Sequence, residues 1–230
     1  MNELETLASM VDHTILKPYA DHEMIMKTVR ECIEYHFAMI AVNSCQVKFC
    51  HEALKGTGVH VGAAISFPLG QTELSVKCFE TETAIEQGAD EIDYVVNLTE
   101  LKNGNWDYIR KEMESIVGIC RKHQVLCKVI FETCYLTEQQ IITLAHIARE
   151  VKPDFIKTST GFGTAGADVK QVALMKKEVG EDVGVKAAGG IRDLKTFLAM
   201  KKAGATRIGC SASVKIMKEA EEALSRGEKL

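Results

Sequence analysis

Short apolar runs rich in valine and isoleucine alternate with longer amphipathic stretches from one end of the chain to the other, and this alternation constrains the fold more than any other feature. It is the pattern of parallel strands joined by crossover helices. The strand runs are Met10–Ile15, Ala38–Asn43, Val59–Phe67, Glu91–Val96, Val125–Phe131, Phe155–Ser159, Val183–Ala188 and Thr206–Cys210. Helical patterns fall near Asp21–His36, Gln46–Leu54, Thr72–Gln87, Trp106–His123, Thr137–Val151, Asp168–Val179, Leu194–Ala203 and Val214–Arg226. Thr137 with Gln140 reads as a capping box, and Asp168 and Asp193 read as N-caps. Gly88, Gly180 and Gly204 stand just past helices, where a C-terminal glycine is expected. No linker or low-complexity segment interrupts the series, and 230 residues that are 46% hydrophobic can bury one substantial core. The expected architecture is therefore α/β, a single (β/α)8 TIM barrel over residues 1–230. An open doubly wound sheet is the alternative, but no Gly-x-Gly-x-x-Gly turn follows the first strand.

A net charge of −4 and the lack of any Lys/Arg stripe argue against nucleic acid or an anionic membrane as partners. The longest apolar runs fall short of a membrane span, and Met1-Asn-Glu-Leu-Glu5 is too acidic for a targeting signal, so a cytoplasmic location is expected. Eight cysteines lie at irregular spacing inside apolar elements, which reads as reduced, buried thiols rather than a disulfide framework. Cys45, Cys50 and His51 bring ligand types together, yet no second Cys/His cluster completes a zinc tetrahedron. No metal is expected.

Two strands carry lysines among apolar neighbours, Asp154-Phe-Ile-Lys-Thr-Ser-Thr-Gly161 and Gly184-Val-Lys-Ala-Ala-Gly-Gly-Ile-Arg192. Burying an ammonium costs on the order of several kcal/mol unless it is paired or deprotonated. Alternation places Val183, Val185 and Ala187 toward the helices and leaves Gly184, Lys186 and Ala188 facing the barrel axis. By the same parity Phe155, Lys157 and Ser159 share a face, as do Glu91, Asp93 and Val95, so Asp93, Lys157 and Lys186 converge on one interior. Like charges on neighbouring strands depress each other's pKa, and one lysine can then be neutral and nucleophilic near pH 7. Asp93 would relay protons to and from the adduct with a carbonyl substrate. Spacing alone leaves open which lysine is the nucleophile. Lys128 and Glu132 are expected on a common strand face in a supporting role. His13 and Asp12, adjacent on an extended segment, point opposite ways and do not form an acid–base pair. Trp106, Cys134 and Cys210 read as packing residues.

Gly189, Gly190, Gly209 and Ser211 follow the last two strands, where barrels commonly hold a phosphate on backbone N–H groups. The segments Val11-Asp-His-Thr-Ile-Leu-Lys-Pro18, Ser66-Phe-Pro-Leu-Gly70, Gly88–Asn97, Lys128–Cys134, Phe155–Phe162, Gly184–Arg192 and Gly204–Gly209 together resemble the deoxyribose-phosphate aldolase family from end to end. The resemblance implies a Schiff-base lyase that cleaves 2-deoxy-D-ribose 5-phosphate to D-glyceraldehyde 3-phosphate and acetaldehyde, reversibly and without metal or organic cofactor. It further implies that Lys157 forms the imine, Lys186 lowers its pKa and Asp93 transfers protons. Asp12 and Thr14 would bind sugar hydroxyls, with Thr160, Gly161, Gly190, Gly209 and Ser211 around the substrate and its phosphate. A homo-oligomer, with a dimer favoured, is also implied. The chain departs from the family pattern at Ala41, Asn43-Ser44, Ala188 and Ala212, and its end, Ser225–Leu230, offers no tyrosine to the site. The substitutions remove hydroxyls but no amine or carboxylate, so they bear on affinity and substrate preference more than on chemistry, and the lack of a terminal tyrosine implies modest turnover. Two further readings are a Schiff-base aldolase for another phosphosugar or keto acid, and a non-catalytic phosphosugar-binding barrel.

Overall fold

The computed structural model describes residues 2–230. Eight parallel strands close into a barrel in sequential order: β1 (Val11–Thr14), β2 (Met39–Asn43), β3 (His60–Ile65), β4 (Glu91–Val95), β5 (Leu126–Ile130), β6 (Phe155–Lys157), β7 (Gly184–Ala188) and β8 (Arg207–Cys210). β1 pairs with both β2 and β8, so no sheet edge is left open. The connecting helices are α2 (His22–Tyr35), α3 (Val47–Leu54), α4 (Leu74–Glu86), α6 (Trp106–His123), α7 (Glu138–Val151), α8 (Val169–Val179), α9 (Leu194–Lys202) and α10 (Ser213–Ser225). Each strand and nearly every helix lies within the run that its residue pattern predicts, trimmed by one or two residues at the ends. Two short helices, α1 (Glu3–Ala8) and α5 (Leu98–Lys102), escape that pattern because neither is long enough to show a repeat. Local capping starts both: the Asn2 side chain accepts from Glu5 N–H, and Asn97 from Glu100 N–H.

The capping box at Thr137 and Gln140 is formed, and Asp168 and Asp193 cap α8 and α9. Outward strand residues such as Val61, Ile92, Val129, Ile156, Val185 and Ile208 pack with the helices into one apolar shell. Met39, Ala41, Ala64, Val95, Ile130 and Ala188 are also buried but stand apart from that shell, lining the barrel interior. The cysteines divide in burial. Cys45 is exposed and Cys78 and Cys134 are half-buried, which corrects the expectation that all eight are buried: irregular spacing does not reveal which face of an element a residue occupies. Cys45, Cys50 and His51 form part of no cluster of three or more potential metal ligands among the described residues.

Candidate active site

Strand register assembles the site. Asp93 lies opposite Lys128, and Lys157 opposite Lys186, while Ile130 lies opposite Lys157, so the two pairs on four consecutive strands are stepped by two residues and all four side chains point inward. Asp93 Oδ2 accepts from Lys157 Nζ at 2.8 Å and from Lys186 Nζ at 2.6 Å, while its Oδ1 accepts from Lys128 Nζ at 2.7 Å. The predicted trio therefore shares one carboxylate. Lys186 also reaches Asp12 Oδ2 at 2.5 Å, and Lys128 reaches Glu91 Oε2 at 2.5 Å. Arg207 completes the network, with Nη1 at 2.7 Å from Asp12 Oδ1 and 3.3 Å from Glu91 Oε1. Its guanidinium lies over the Phe155 ring, and that ring occupies the space where Gly184 has no side chain.

Charge counting distinguishes the three lysines. Asp12, Glu91 and Asp93 face Lys128, Lys157, Lys186 and Arg207, three carboxylates against four cationic groups. Lys128 lies near all three acids and Lys186 contacts two, whereas Lys157 has Asp93 alone. Lys157 is the surplus cation. Burial, opposed by Asp93 and assisted by Lys186 and Lys128, pushes its pKa down to about 8. Desolvation is thus the main cause, and the neighbouring lysine that the resemblance credits is the smaller one. Asp93 behaves oppositely: burial alone would raise its pKa, but Lys128, Lys157 and Lys186 together hold it well below the usual carboxylate range.

Of the interior lysines, only Lys157 lines the cavity of about 440 Å³ that opens at the carboxyl ends of the strands. Thr14, Thr160, Gly161, Gly190, Gly209 and Ser211 line it as well, together with Gly189 and Ala188. Asp12 does not. It is fully buried with its oxygens on Lys186 and Arg207, inside the ion-pair network. Glu132 departs from expectation. β5 ends at Ile130 and Glu132 takes a left-handed φ of 54°, which breaks parity and separates it from Lys128. Its carboxylate instead accepts from the N–H and hydroxyl of Thr160, fixing the loop after β6, while burial pushes its pKa up. His13 points away from Asp12 as expected, toward Glu31 and Ser213.

Glycine makes two of these contacts possible. A Cβ on Gly209 would lie 3.0 Å from Lys186 Cε, and one on Gly166 would lie 2.2 Å from the Gly189 carbonyl oxygen. Gly189 itself has φ 86°, a left-handed conformation that favours glycine. Sequence reasoning missed Lys17, Lys27 and Arg192, which also line the cavity. They sit in loops and on a helix, where no strand parity marks them. Glu91 shares the Asp93 face already read from the sequence, and Arg207 shares inward parity with Gly209, a signal that could have found it.

A closed barrel with an amine of lowered pKa at the floor of its carboxyl-end cavity, a carboxylate on that amine and glycine turns at the rim defines the class: an enzyme equipped for carbonyl chemistry through lysine. The chain belongs to the DeoC/LacD family of aldolases, whose model matches residues 6–219. It is 56% identical over 213 residues to the deoxyribose-phosphate aldolase of Lactobacillus acidophilus, covering 93% of this chain and 90% of that protein. It is 53% identical over 224 residues to the deoxyribose-phosphate aldolase of Bacteroides thetaiotaomicron, covering 97% and 94%. Among solved structures, the aldolase QR15 superposes with a TM-score of 0.90 at 36% identity, covering 96% of this chain and 99% of that one. The tetrameric deoxyribose phosphate aldolase of Aeropyrum pernix gives 0.89 at 31% identity, covering 96% and 93%.

Proposed function

We propose that this aldolase cleaves 2-deoxy-D-ribose 5-phosphate to D-glyceraldehyde 3-phosphate and acetaldehyde through an imine on Lys157. The observation that carries the proposal is that Lys157, alone among the interior lysines, both lines the cavity and is the surplus cation of its cluster. In its neutral form the Lys157 amine adds to the C1 aldehyde of the open-chain sugar, and loss of water gives the iminium. Removing the proton of the C3 hydroxyl breaks the C2–C3 bond. The electron pair of that bond moves to C2, the glyceraldehyde phosphate leaves, and an enamine remains on Lys157. Protonation at C2 and hydrolysis then release acetaldehyde and regenerate the amine. Asp93 and Lys186, both within hydrogen-bond distance of the same oxygen–nitrogen cluster, carry protons to and from the adduct. Asp12 holds Lys186, and Thr14, Thr160, Gly161, Gly190, Gly209 and Ser211 bind the sugar and its phosphate. Lys17, Lys27 and Arg192 supply positive charge at the cavity wall for a dianion.

The test is a coupled assay on 2-deoxy-D-ribose 5-phosphate, D-ribose 5-phosphate and a phosphorylated 2-keto-3-deoxy acid. Acetaldehyde and glyceraldehyde phosphate should appear in equal amounts from the first alone. Faster cleavage of either of the others would favour a different aldolase specificity, and turnover of none would favour a binding barrel.

The protein is further proposed to act in the cytoplasm, where its free thiols stay reduced, and to work as a homodimer. Association is supported by the exposed apolar side chains Leu69, Val76 and Phe79. A monomer mass in light scattering would refute it.

A further inference from the structure

The Ser213 hydroxyl has one proton and two acceptors within reach: the Cys210 carbonyl oxygen at 3.0 Å and His13 Nδ1 at 2.9 Å. The other side of the imidazole decides whether Nδ1 can accept. His13 Nε2 lies 2.8 Å from Glu31 Oε2, and a carboxylate only accepts, so Nε2 carries the hydrogen. Burial holds the His13 pKa below its ordinary value against the opposing pull of Glu31, so the ring is neutral near pH 7 and Nδ1 is a bare lone pair. The Ser213 hydroxyl therefore has His13 Nδ1 as an acceptor beside the Cys210 carbonyl, and its proton bridges the two. Cys210 Sγ, 3.2 Å away, is left to donate to the Ser213 oxygen. The result is a directed chain from Cys210 through Ser213 and His13 to Glu31.

This chain joins three elements: Glu31 belongs to α2, His13 to β1, and Ser213 opens α10 directly after the turn that leaves β8. That turn carries Ser211, and Gly209 precedes it, both on the cavity wall. His13 and Ser213 are buried, with the imidazole tilted against Phe37 at 5.2 Å between ring centres. The N-cap of α10 is Ala212, and Ser213, the first residue inside the helix, has its hydroxyl on His13 and Cys210. No step of the imine chemistry uses Glu31, His13 or Ser213. An apolar pair could fill the same space. A fully satisfied polar chain instead fixes the turn in one arrangement.

We propose that His13 is a positioning residue for the phosphate-binding end of the cavity: by taking the Ser213 hydroxyl it locks the Cys210–Ser213 turn, and so governs affinity for the substrate's phosphate without taking part in the chemistry at Lys157. The inference rests on the phosphosugar reading above and assigns a specificity role to residues outside that reading.

The test compares cleavage of 2-deoxy-D-ribose 5-phosphate with that of unphosphorylated 2-deoxy-D-ribose by the wild-type protein and by the Ser213→Ala, His13→Phe and His13→Gln variants. Ser213→Ala and His13→Phe should raise KM for the phosphorylated sugar by about tenfold, the loss of one buried hydrogen-bond link, while kcat and the KM of the unphosphorylated sugar change little. His13→Gln, which can still accept and donate, should recover most of the loss. Equal effects on both sugars, or no change in KM, would overturn the proposal. Calorimetric titration with inorganic phosphate reads the same turn without chemistry, and Glu31→Gln, compared with Lys27→Gln because Glu31 also pairs with Lys27, serves if a buried variant fails to fold. Wild-type protein that binds phosphate but cleaves neither sugar would sink the aldolase reading alone. Variants that bind phosphate as the wild type does would sink this one.

Discussion

At the scale of single residues, function rests on one amine that differs from two chemically identical neighbours. Lys128 is raised above its ordinary pKa by Asp93, Glu91 and Asp12, which outweigh the burial that would lower it. Lys157 has one carboxylate and the same burial, and moves the other way. Parity along β6 and β7 made the convergence of Lys157, Lys186 and Asp93 legible from the sequence. It could not rank the lysines, because ranking depends on how many acids each one meets across the barrel. Because the free amine is the reactive form, kcat/KM should climb with pH and level off above about 8. Replacing Lys186 with Leu removes a positive neighbour, so Lys157 should hold its proton to higher pH. The acid limb of the profile should then move upward, with a loss of about tenfold or more at pH 7 from neutral-amine fraction and proton transfer together. An unchanged limb would show that the lysines are not coupled.

At the scale of elements, the strands were legible because β-branched runs and parity report directly on burial, and three helix starts because Thr137, Asp168 and Asp193 mark them. Legibility failed where the backbone leaves regular geometry. Glu132 looked like an inward partner of Lys128 until its left-handed φ turned it toward Thr160. The roles of Gly166 and Gly189 were equally hidden, since two loops distant in sequence approach each other only in the folded barrel. Their backbones also pair, with Ala167 N–H donating to the Gly189 carbonyl at 3.0 Å. A methyl group on Gly166 would collide with that carbonyl, a rigid part of the turn. Gly166→Ala should therefore weaken phosphate binding by about tenfold or more and lower the unfolding free energy by roughly 1–3 kcal/mol, as overpacking does. Calorimetry with inorganic phosphate and urea denaturation measure the two effects. Wild-type values for both would remove the close approach from the explanation of the site.

At the scale of the whole molecule, the barrel buries a charged cluster that an apolar interior would avoid, and this burden is the counterpart of reactivity. Lys157 has a pKa of about 8 in the folded protein against an ordinary value of 10.5. Between those values the unfolded chain binds more protons than the folded one, so stability gains from this group as pH rises through that window; below it the full penalty applies. Lys157→Met should accordingly stabilise the protein at pH 7 by on the order of 3 kcal/mol, a gain that fades as pH approaches 10.5. Urea melts of both proteins across that range would check it, and a destabilised variant would mean that Lys157 contributes to the fold through Asp93. The most direct measurement is chemical. Incubation with 2-deoxy-D-ribose 5-phosphate, reduction with borohydride and peptide mass spectrometry should place the substrate-derived mass addition on Lys157. An adduct on Lys186 or Lys128 instead, or no adduct from a protein that still cleaves the sugar, would contradict the assignment of Lys157 as the imine-forming amine.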